Sequence, residues 1–470
     1  MSEQPDPRRW RILSVSLLVG FMSLLDVTIV NVAIPSIRAG LDTSAGAVQW
    51  VVSGYALAFG LTLVAGGRLG DAHGRRALMT WGLVGFVVSS AAVGLATNAT
   101  WIVVARLVQG ASAGFLTPQN SGLIQQFFRG PERGRAFGLF GFTVSVASAT
   151  GPLIGGGIIA LLGPDQGWRW LFLVNVPIGL VALLLIRRLI PADTTDPEAD
   201  TRIDVTGALL LGLTVLAVLY PLVSVESGAT WPLALLPAVP LLAWGFVHWE
   251  RRTADRGRPP LLDVGLLRRI PGYADGLAVG TLYFTGFTGV FLVLSVHLQE
   301  GRDLSALQTA LLLTPFAVGA AGSSLVAGRL VSRIGRSITL LALGVMMAGT
   351  VLSAWLVAQP TESLWWTLAP AMLLAGVGGG GVISPNFTLT LADVPPAMGG
   401  AAGGALQTGQ RIGSALGAAL LMTSYQFALR PFDPPVAARV ALLTALVVLS
   451  LAMAMAIRSA RRPEPAPAAA

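Results

Sequence analysis

The sequence predicts an all-α integral membrane protein, and three observations support that prediction. Hydrophobic residues make up 54% of the 470 residues, and charged residues make up 11%. A soluble domain carries about 25% charged residues. The mean hydropathy is +0.71. Repeated apolar runs, each long enough to cross a bilayer as a helix, are separated by short charged or Pro/Gly-rich segments. We therefore predict a bundle of transmembrane helices.

Fourteen spans are predicted, arranged as two groups of six with an extra pair between them. They lie at 12–35, 47–66, 77–97, 101–124, 136–161, 168–190, 205–225, 231–249, 272–297, 305–328, 337–358, 364–391, 401–427 and 437–457. This order divides the chain into an N-terminal six-helix bundle (1–190), a linker with two additional spans (191–270), a C-terminal six-helix bundle (271–460) and a Pro/Ala-rich tail (461–470). We predict that the tail is disordered.

The distribution of positive charge predicts the orientation in the membrane. All 31 basic residues are arginine: 24 fall on the segments on the side of the N-terminus, 5 on the opposite loops and 2 within spans. Short cytoplasmic loops carry such an excess, so both termini are predicted to be cytoplasmic. The net charge of +8 then reflects topology, and nucleic acid is not an expected partner.

One segment of the chain occurs twice. Gly67–Arg75 reads GRLGDAHGR, and Gly328–Arg336 reads GRLVSRIGR, at an offset of 328 − 67 = 261 residues. Both copies follow an even-numbered span on the predicted cytoplasmic side. Parallel repeats of this kind are a known construction in transporters. The second copy has Ser332 at the position of Asp71.

Asp26 is an acidic residue inside the first span. Counting from Ile12, it lies about 20 Å into an apolar layer about 30 Å thick, where a charge costs about 2.5–3.5 kcal/mol. We expect it to be paired, protonated or facing a polar cavity, and Arg106 of the fourth span is the natural partner at a similar depth. The pair is either a fixed ion pair that tightens helix packing or, because a carboxyl exists both charged and neutral, a proton carrier.

Five motifs lie in order along the chain, and together they indicate a family. They are Leu25–Pro35, Gly67–Arg76, Arg106–Gly110, Gly151–Gly156 and Trp168–Gly179. The chain resembles the fourteen-helix drug:proton antiporters of the major facilitator superfamily, the EmrB/QacA-like group, over essentially its whole length. The resemblance implies two six-helix bundles that alternate access to a central site.

The resemblance also implies roles for two of the motifs. The segment containing Gly67, Asp71, Gly74, Arg75 and Arg76 is expected to be a conformational latch on the cytoplasmic side, formed as a tight loop. With Ser332 in place of Asp71, any latch at the second copy is expected to be weaker. Gly151, Pro152, Gly155 and Gly156 match the exporter motif of the fifth helix. These residues are expected to form a close seam between the two halves that prevents leak.

The ninth span carries aromatic residues at roughly helical spacing, among them Tyr283 and Phe287. Such a stripe is either packing or the wall of an apolar substrate cavity. Asn386 and Gln407 are the expected polar contacts of that cavity. Arg411, the second intramembrane arginine, is expected either to bind an anionic group, to pair with an acid, or to lie at the cytoplasmic boundary.

The function predicted at this point is proton-coupled export of lipophilic or cationic drugs and toxic compounds by alternating access. The alternative is a dedicated exporter of one endogenous metabolite, lipid or antibiotic. A membrane enzyme would need a convergent set of His, Asp and Glu near one interface, and a receptor or scaffold would leave Asp26 unexplained. We expect no cofactor, no metal and no ATP, since no Walker A sequence occurs. The expected partners are a small-molecule substrate, protons and the bilayer of a bacterial inner membrane, with a monomer as the functional unit.

Overall fold

The structure is a computed structural model that describes residues 6–192, 202, 204–226 and 230–461. All regular secondary structure in these residues is helical. Helices α1 to α7 form the N-terminal half: α1 Arg9–Gly40, α2 Ala45–His73, α3 Arg75–Gly94, α4 Ala99–Phe127, α5 Gly130–Leu162, α6 Pro164–Leu173 and α7 Asn175–Leu189.

The middle of the chain and the C-terminal half follow. The middle contains α8 Val205–Glu226, a 3-10 helix Trp231–Ala238, α9 Val239–Asp255 and the short α10 Leu266–Arg269. The C-terminal half contains α11 Pro271–Glu300, α12 Ala306–Ile334, α13 Ser337–Leu356, α14 Thr361–Thr390, a 3-10 turn Pro396–Met398, α15 Gly399–Ala428 and α16 Pro434–Ala460.

Thirteen segments of the described chain are long and apolar enough to cross a membrane. They correspond in order to thirteen of the predicted spans. The remaining predicted span, 401–427, lies on α15, which has 30 residues but is rich in Gly, Ala and Gln instead of large apolar side chains. Much of α15 is buried between other helices, so it packs against protein more than lipid. The all-helical membrane fold is therefore confirmed, and fourteen spans are compatible with it.

Helix boundaries differ from the predictions in the first, sixth and eighth spans, among others. Helix α1 does not end at Pro35 but continues to Gly40, with Pro35 inside it. The sixth span is interrupted at Val174, between α6 and α7. The eighth span starts as the 3-10 helix Trp231–Ala238, where Pro232 and Pro237 lack the N–H groups that a regular α-helix needs.

Both described ends of the chain lie on one side of the bundle, which we call the basic side. It carries the start of α1, the α2–α3 turn, the α4–α5 connection and the end of α16, where Arg336 donates to the backbone oxygen of Ser459 at 2.6 Å. This arrangement is compatible with both termini in the cytoplasm. The predicted disordered tail lies outside the described residues except for Arg461, as do 1–5, 193–201 and 203.

Helix pairs α4–α15 and α5–α14 join the two halves, and the two most extensive contacts between them are α2 with α15 and α5 with α12. Small residues allow both contacts. A Cβ added to Gly67 would meet the backbone of Gly400, and one added to Gly328 would lie 2.5 Å from the carbonyl oxygen of Gly134. Beside them, Phe137 of α5 stacks on Phe387 of α14, with ring centroids 5.5 Å apart. These contacts close the seam on the basic side.

The additional helices lie at one edge of that seam. Helix α8 packs against both α2 and α15, and α9 packs against α8. Leu57 of α2 forms an apolar cluster with Val215 and Leu219 of α8. The extra pair therefore contacts both halves instead of standing apart from them.

Candidate functional site

Asp26 of α1 and Arg106 of α4 form an ion pair inside the N-terminal half. The Nη1 atom of Arg106 lies 2.5 Å from the Oδ2 atom of Asp26. The exposed fractions of the Arg106 and Asp26 side chains are 1% and 0%. Asp26 and Arg106 were predicted to pair because they lie at a similar depth in the membrane. The structure brings them together and places them out of contact with solvent.

The second carboxylate oxygen of Asp26 accepts two hydrogen bonds from amide side chains. Gln109 and Asn175 each donate through the side-chain nitrogen to Oδ1 of Asp26 at 3.0 Å. The same two nitrogens each lie 3.0 Å from the hydroxyl oxygen of Ser90, which in turn donates to the backbone oxygen of Phe172. All of these side chains are buried. The carboxylate is therefore surrounded by donors from α1's neighbours α4 and α7.

Arg106 is held from several directions. Its Nε donates to the backbone oxygen of Val51 at 2.9 Å, and its Nη1 donates to Oε1 of Gln109 at 2.8 Å. Its guanidinium carbon lies 4.2 Å from the centroid of the Tyr55 ring, a cation–π geometry. Because these contacts do not involve the carboxylate, Arg106 keeps polar partners even when Asp26 is neutral.

Local structure explains why these side chains converge. Gln109 follows Arg106 by three residues on α4, so the two share a helix face. Asn175 is the first residue of α7, directly after the interruption at Val174, and there it faces Asp26. The interruption of the sixth span thus positions a polar side chain within an apolar segment.

The sequence analysis did not assign roles to Gln109, Asn175 or Ser90. Two of them could have been identified from the sequence, since Gln109 lies in the Arg106–Gly110 motif and Asn175 in the Trp168–Gly179 motif. Ser90 gave no signal, because a single serine in an apolar span is common and its helix face is not evident without the neighbouring helices. Only the packing of α3 against α7 places it here.

Asp71 joins the two halves on the basic side. Its carboxylate accepts from the backbone N–H of Gly400 at 3.1 Å and of Ala401 at 2.8 Å, both in the first turn of α15. Met398, which precedes that helix, provides no side-chain cap. A carboxylate at this position satisfies free N–H groups and interacts favourably with the positive end of the helix dipole.

Arg75 connects Asp71 to both halves. Its Nη2 lies 2.7 Å from Oδ1 of Asp71 and 2.8 Å from the backbone oxygen of Pro396, while Nη1 donates to the backbone oxygen of Gly122 and to Oε1 of Gln126. The exposed fractions of the Arg75 and Asp71 side chains are 8% and 0%. This buried cluster joins α2, α3 and α4 to the start of α15.

The segment Gly67–Arg76 is not the loop that the sequence predicted. Helix α2 extends to His73, so Asp71 is helical, and the turn is formed by Gly74 alone, at φ +99°. Gly67 instead permits close contact with α15, and Gly70 permits contact with the side chain of Gln119. Arg76 lies beyond the cluster and donates to the backbone oxygen of Arg187 in α7 at 2.9 Å.

Gly151 and its neighbours do not form a seam between the halves in this structure. A Cβ on Gly151 would press against Thr28 and Ile29 of α1, in the same half, and Gly156 has nothing within 4 Å of such a Cβ. Gly155 is buried, while Pro152 lies inside α5. This corrects the prediction: where α5 meets the other half, Gly134, Gly138 and Gly141 make the contact instead, because the basic end of the helix faces α12.

The aromatic stripe of α11 forms a cluster with α12. The ring of Phe287 stacks on those of Tyr283 and Phe316, with centroids 5.7 and 5.1 Å apart, and Phe291 packs edge-on against Phe316. Tyr283 is buried, and its hydroxyl donates to the backbone oxygen of Gly379. Phe287 and Phe291 remain partly exposed.

The polar residues predicted for a substrate cavity have separate surroundings. Asn386 lines a small cavity near Arg336 within the C-terminal half, and Gln407 is buried with Nε2 lacking a partner among the described residues. Arg411 of α15 reaches across the seam, with its guanidinium carbon 4.5 Å from the ring centroid of Phe59 in α2. Arg411 is thus the member of this set that contacts the other half.

Sequence comparison identifies the family. The profile of the Major Facilitator Superfamily matches residues 16–418. The chain belongs to this superfamily. Its members are membrane transporters of small molecules and are not enzymes, in agreement with the helical spans described above.

Several curated relatives of this major facilitator protein are similar over most of their length. It is 36% identical to the probable actinorhodin transporter of Streptomyces coelicolor, over 90% of this chain and 73% of that protein. It is 38% identical to the puromycin resistance protein pur8 of Streptomyces alboniger, over 89% and 82%. It is 33% identical to the drug efflux pump JefA of Mycobacterium tuberculosis, over 86% and 78%. These bacterial relatives are consistent with a bacterial inner-membrane protein.

Solved structures agree with the major facilitator fold. The human organic anion transporter MFSD10 superposes with a TM-score of 0.70 at 16% identity, covering 96% of this chain and all of that one. The proton:xylose symporter XylE superposes with a TM-score of 0.67 at 14% identity, covering 95% and 96%. At this level of identity the likeness shows the fold alone.

Proposed function

We propose that this protein is a proton-coupled antiporter that exports drugs or antibiotics from the cytoplasm. The observation that carries the proposal is the ion pair of Asp26 and Arg106, buried within a membrane-embedded half. A buried carboxylate in a transporter is a functional group by default, because its charge is costly there. The printed names of the relatives, which include transport, resistance and efflux proteins, support the direction and the class of substrate.

The network around Asp26 is suited to gaining and losing one proton. In the ionised state Oδ1 and Oδ2 accept from Asn175, Gln109 and Arg106. Protonation would remove the attraction for Arg106, which retains Val51 and Gln109 as acceptors. The exchange between the two states is therefore local, and neither state leaves Arg106 without hydrogen bonds.

Helix α2 offers a route by which this change reaches the other half. Tyr55 lies under Arg106, and Phe59, one turn further along α2, lies under Arg411 of α15. The Tyr55 and Phe59 rings are 5.9 Å apart. We propose that a shift of Arg106 on protonation is transmitted through these rings to the seam, where Arg411 and the partly exposed Phe287 and Phe291 contact substrate.

Alternating access requires a barrier that opens on the basic side. The cluster of Asp71 and Arg75 with the first turn of α15 is the proposed latch of that barrier. In this scheme the proton gradient is the energy source, no cofactor or ATP takes part, and a monomer is sufficient.

Substrate-driven proton release tests the proposal. We expect purified protein in proteoliposomes with an imposed pH gradient to concentrate substrate and to release protons when substrate binds, because both compete for the Asp26 site. Asp26→Asn is expected to fold and bind substrate yet lose concentrative export, while Asp42→Asn, an exposed carboxylate between α1 and α2, retains it.

Two outcomes would contradict the proposal. Full active export by a well-expressed Asp26→Asn protein would leave Asp26–Arg106 as a fixed structural ion pair. Proton uptake on substrate binding would point to import.

A dedicated exporter of one antibiotic is the second candidate. It is favoured by a relative described as a tetracenomycin C resistance and export protein of Streptomyces glaucescens, 31% identical over 88% of this chain and 75% of that protein. A panel of lipophilic cations, neutral drugs and aromatic natural products separates the two, since a multidrug exporter releases protons with several classes and a dedicated one with a single compound.

A further inference from the structure

A cavity of about 530 Å³ opens on the basic side beside the contact of α5 with α12. It is lined by Trp10, Arg135, Leu139, Leu325 and Arg329, and we call it the basic crevice. One arginine comes from each half of the protein. The crevice plays no part in the proton network or in the Asp71 cluster.

Among the described residues, neither arginine of the crevice forms an ion pair with an acid. Both side chains are exposed, and neither donates a hydrogen bond to a described residue. The nearest acid, Glu132, is occupied by Arg9, which reaches both of its carboxylate oxygens at 3.0 Å. Arg135 interacts with Glu132 only at longer range, so the crevice presents two arginines without a direct ion pair to a single ligand.

The depth of these residues matches the layers of a bilayer. Helix α5 has 33 residues, about 50 Å, and so extends about 10 Å beyond each edge of an apolar layer about 30 Å thick. Arg135 lies five residues from its start, and Arg329 lies five residues from the end of α12, which places both near headgroup level. Leu139 and Leu325 lie one turn deeper, at the top of the apolar layer.

Trp10 completes the lining at the same level. Its ring packs edge-on against Phe128 with centroids 4.8 Å apart, which fixes the indole beside the crevice. Tryptophan is enriched at the interface between membrane and water, where its amphipathic ring is stable. The lining is thus cationic at headgroup level and apolar where acyl chains begin.

We propose that the basic crevice binds an anionic phospholipid of the inner leaflet, with the headgroup phosphate between Arg135 and Arg329 and an acyl chain against Leu139 and Leu325. Clusters of arginine between helices at the cytoplasmic boundary are suited to such headgroups. Each arginine directly follows the glycine through which its helix contacts the other half, Gly134 or Gly328. A lipid that bridges them favours the conformation in which the basic side is closed.

Native mass spectrometry of the full chain in neutral detergent tests the site, with dioleoyl phosphatidylglycerol and dioleoyl phosphatidylcholine as probes. We expect tight binding of one phosphatidylglycerol. Each arginine changed to glutamine is expected to weaken it about fivefold, and Arg135→Gln with Arg329→Gln about thirtyfold. Arg188→Gln, an exposed arginine at the basic end of α7, is the matched control and should change the affinity less than twofold.

A conformational readout and a conservative variant accompany the binding measurement. Since the chain has no cysteine, spin labels at His73→Cys and Ile334→Cys report the distance between the halves on the basic side. Phosphatidylglycerol nanodiscs should increase the short-distance population relative to phosphatidylcholine, and Arg135→Lys with Arg329→Lys should preserve both effects. Unchanged affinity in the double glutamine variant, equal binding of phosphatidylcholine, or displacement by an equal concentration of glycerol phosphate would overturn the proposal.

Discussion

The two main contacts between the halves have the same backbone packing but different electrostatics. Gly67 of α2 meets Gly400 of α15, and Gly328 of α12 meets Gly134 of α5. Gly67 and Gly328 occupy the same position in the repeated segment. The repeat therefore places a glycine at each crossing, where two helices approach within backbone contact.

The side chains that follow each glycine make the difference. Asp71 of the first copy caps α15 and pairs with Arg75, which also binds Pro396 of the other half. At the second copy Ser332 only bonds back to the oxygen of Arg329 in its own helix, and Arg336 binds Ser459 within its own half. Close packing is shared, and Arg133 of α5 also donates across the second crossing to the backbone oxygens of Leu391 and Ala392. Among the described contacts, only the first crossing has a carboxylate that accepts hydrogen bonds across the seam.

This difference gives the proposed lipid a physical role. The first crossing contains a carboxylate that pairs with its arginine, whereas at the second the carboxylate of Glu132 is bound by Arg9, and Arg135 and Arg329 form no ion pair. An anionic headgroup at the second crossing would supply the negative charge that Asp71 supplies at the first. The predictions below test the comparison, with the label pair at His73→Cys and Ile334→Cys as the common measurement of closure.

Asp71→Asn is expected to have the largest effect. Leaving one partner of a buried ion pair uncompensated costs about 3–5 kcal/mol, and here that cost falls on the closed state. The distance distribution should shift strongly towards separated basic ends, while Ser332→Ala leaves it unchanged. A distribution for Asp71→Asn that matches wild type would remove the latch from the mechanism.

Valine at the crossing glycines is expected to have the next largest effect. Gly67→Val and Gly328→Val each place side-chain atoms against the opposing backbone, and overpacking of this kind costs about 1–3 kcal/mol. Both should weaken closure by similar amounts and lower transport. Gly156→Val, where a Cβ meets nothing within 4 Å, is the control, and a much larger effect of Gly67→Val than of Gly328→Val would contradict equal packing.

Arg75 and Arg336 occupy the same position in the two copies of the repeat, and replacing each by lysine should have a smaller effect. Arg336→Lys loses about one hydrogen bond to Ser459, about 0.5–1.5 kcal/mol, and because that bond lies within one half it should lower thermal stability without changing closure. Arg75→Lys should instead reduce closure, since a lysine cannot reach Asp71, Gln126 and Pro396 together. Thermal unfolding in detergent and the label distances separate the two effects.

Ser332→Asp is expected to have the smallest effect on closure of the basic side, and it should increase closure instead of weakening it. A carboxylate beside Arg329 lowers the repulsion between Arg329 and Arg135 of the other half, so it should favour closure by about 0.2–1 kcal/mol, and salt should abolish the gain. Ser332→Asp should also reduce the increase in closure that phosphatidylglycerol produces. An unchanged lipid dependence would indicate that Ser332 lies too far from the crevice to replace the headgroup.

Much of the fold was predictable because hydropathy, length and the placement of arginine act locally. These patterns predicted the helical membrane fold, which is confirmed, with thirteen spans in the described chain and fourteen compatible with it. The superfamily was predicted from the sequence motifs and is confirmed. Asp26 and Arg106 could be paired in advance because depth along each helix follows from counting residues. The predicted end of α1 at Pro35 was wrong, because a membrane helix can contain a proline when neighbouring helices stabilise it.

Residues that act through distant partners could not be assigned in the same way. Asp71 is 329 residues from Gly400, and nothing near Asp71 in the chain indicates that it caps a helix of the other half. The prediction of a seam at Gly151 failed for a related reason. Glycines permit close packing, but residues in other parts of the chain decide which helix lies opposite them. In this structure that helix is α1.

The sequence by itself determined which segments enter the membrane, on which side their arginines collect, and which charges are too costly to remain unpaired, because these depend on the free energy of transfer of each segment. The tertiary structure alone decided that Asn175 and Ser90 complete the Asp26 network, that Asp71 caps α15, and that Arg135 and Arg329 face one crevice. Those outcomes depend on the rotation and crossing of helices that are remote in sequence, which the packing of many side chains sets jointly.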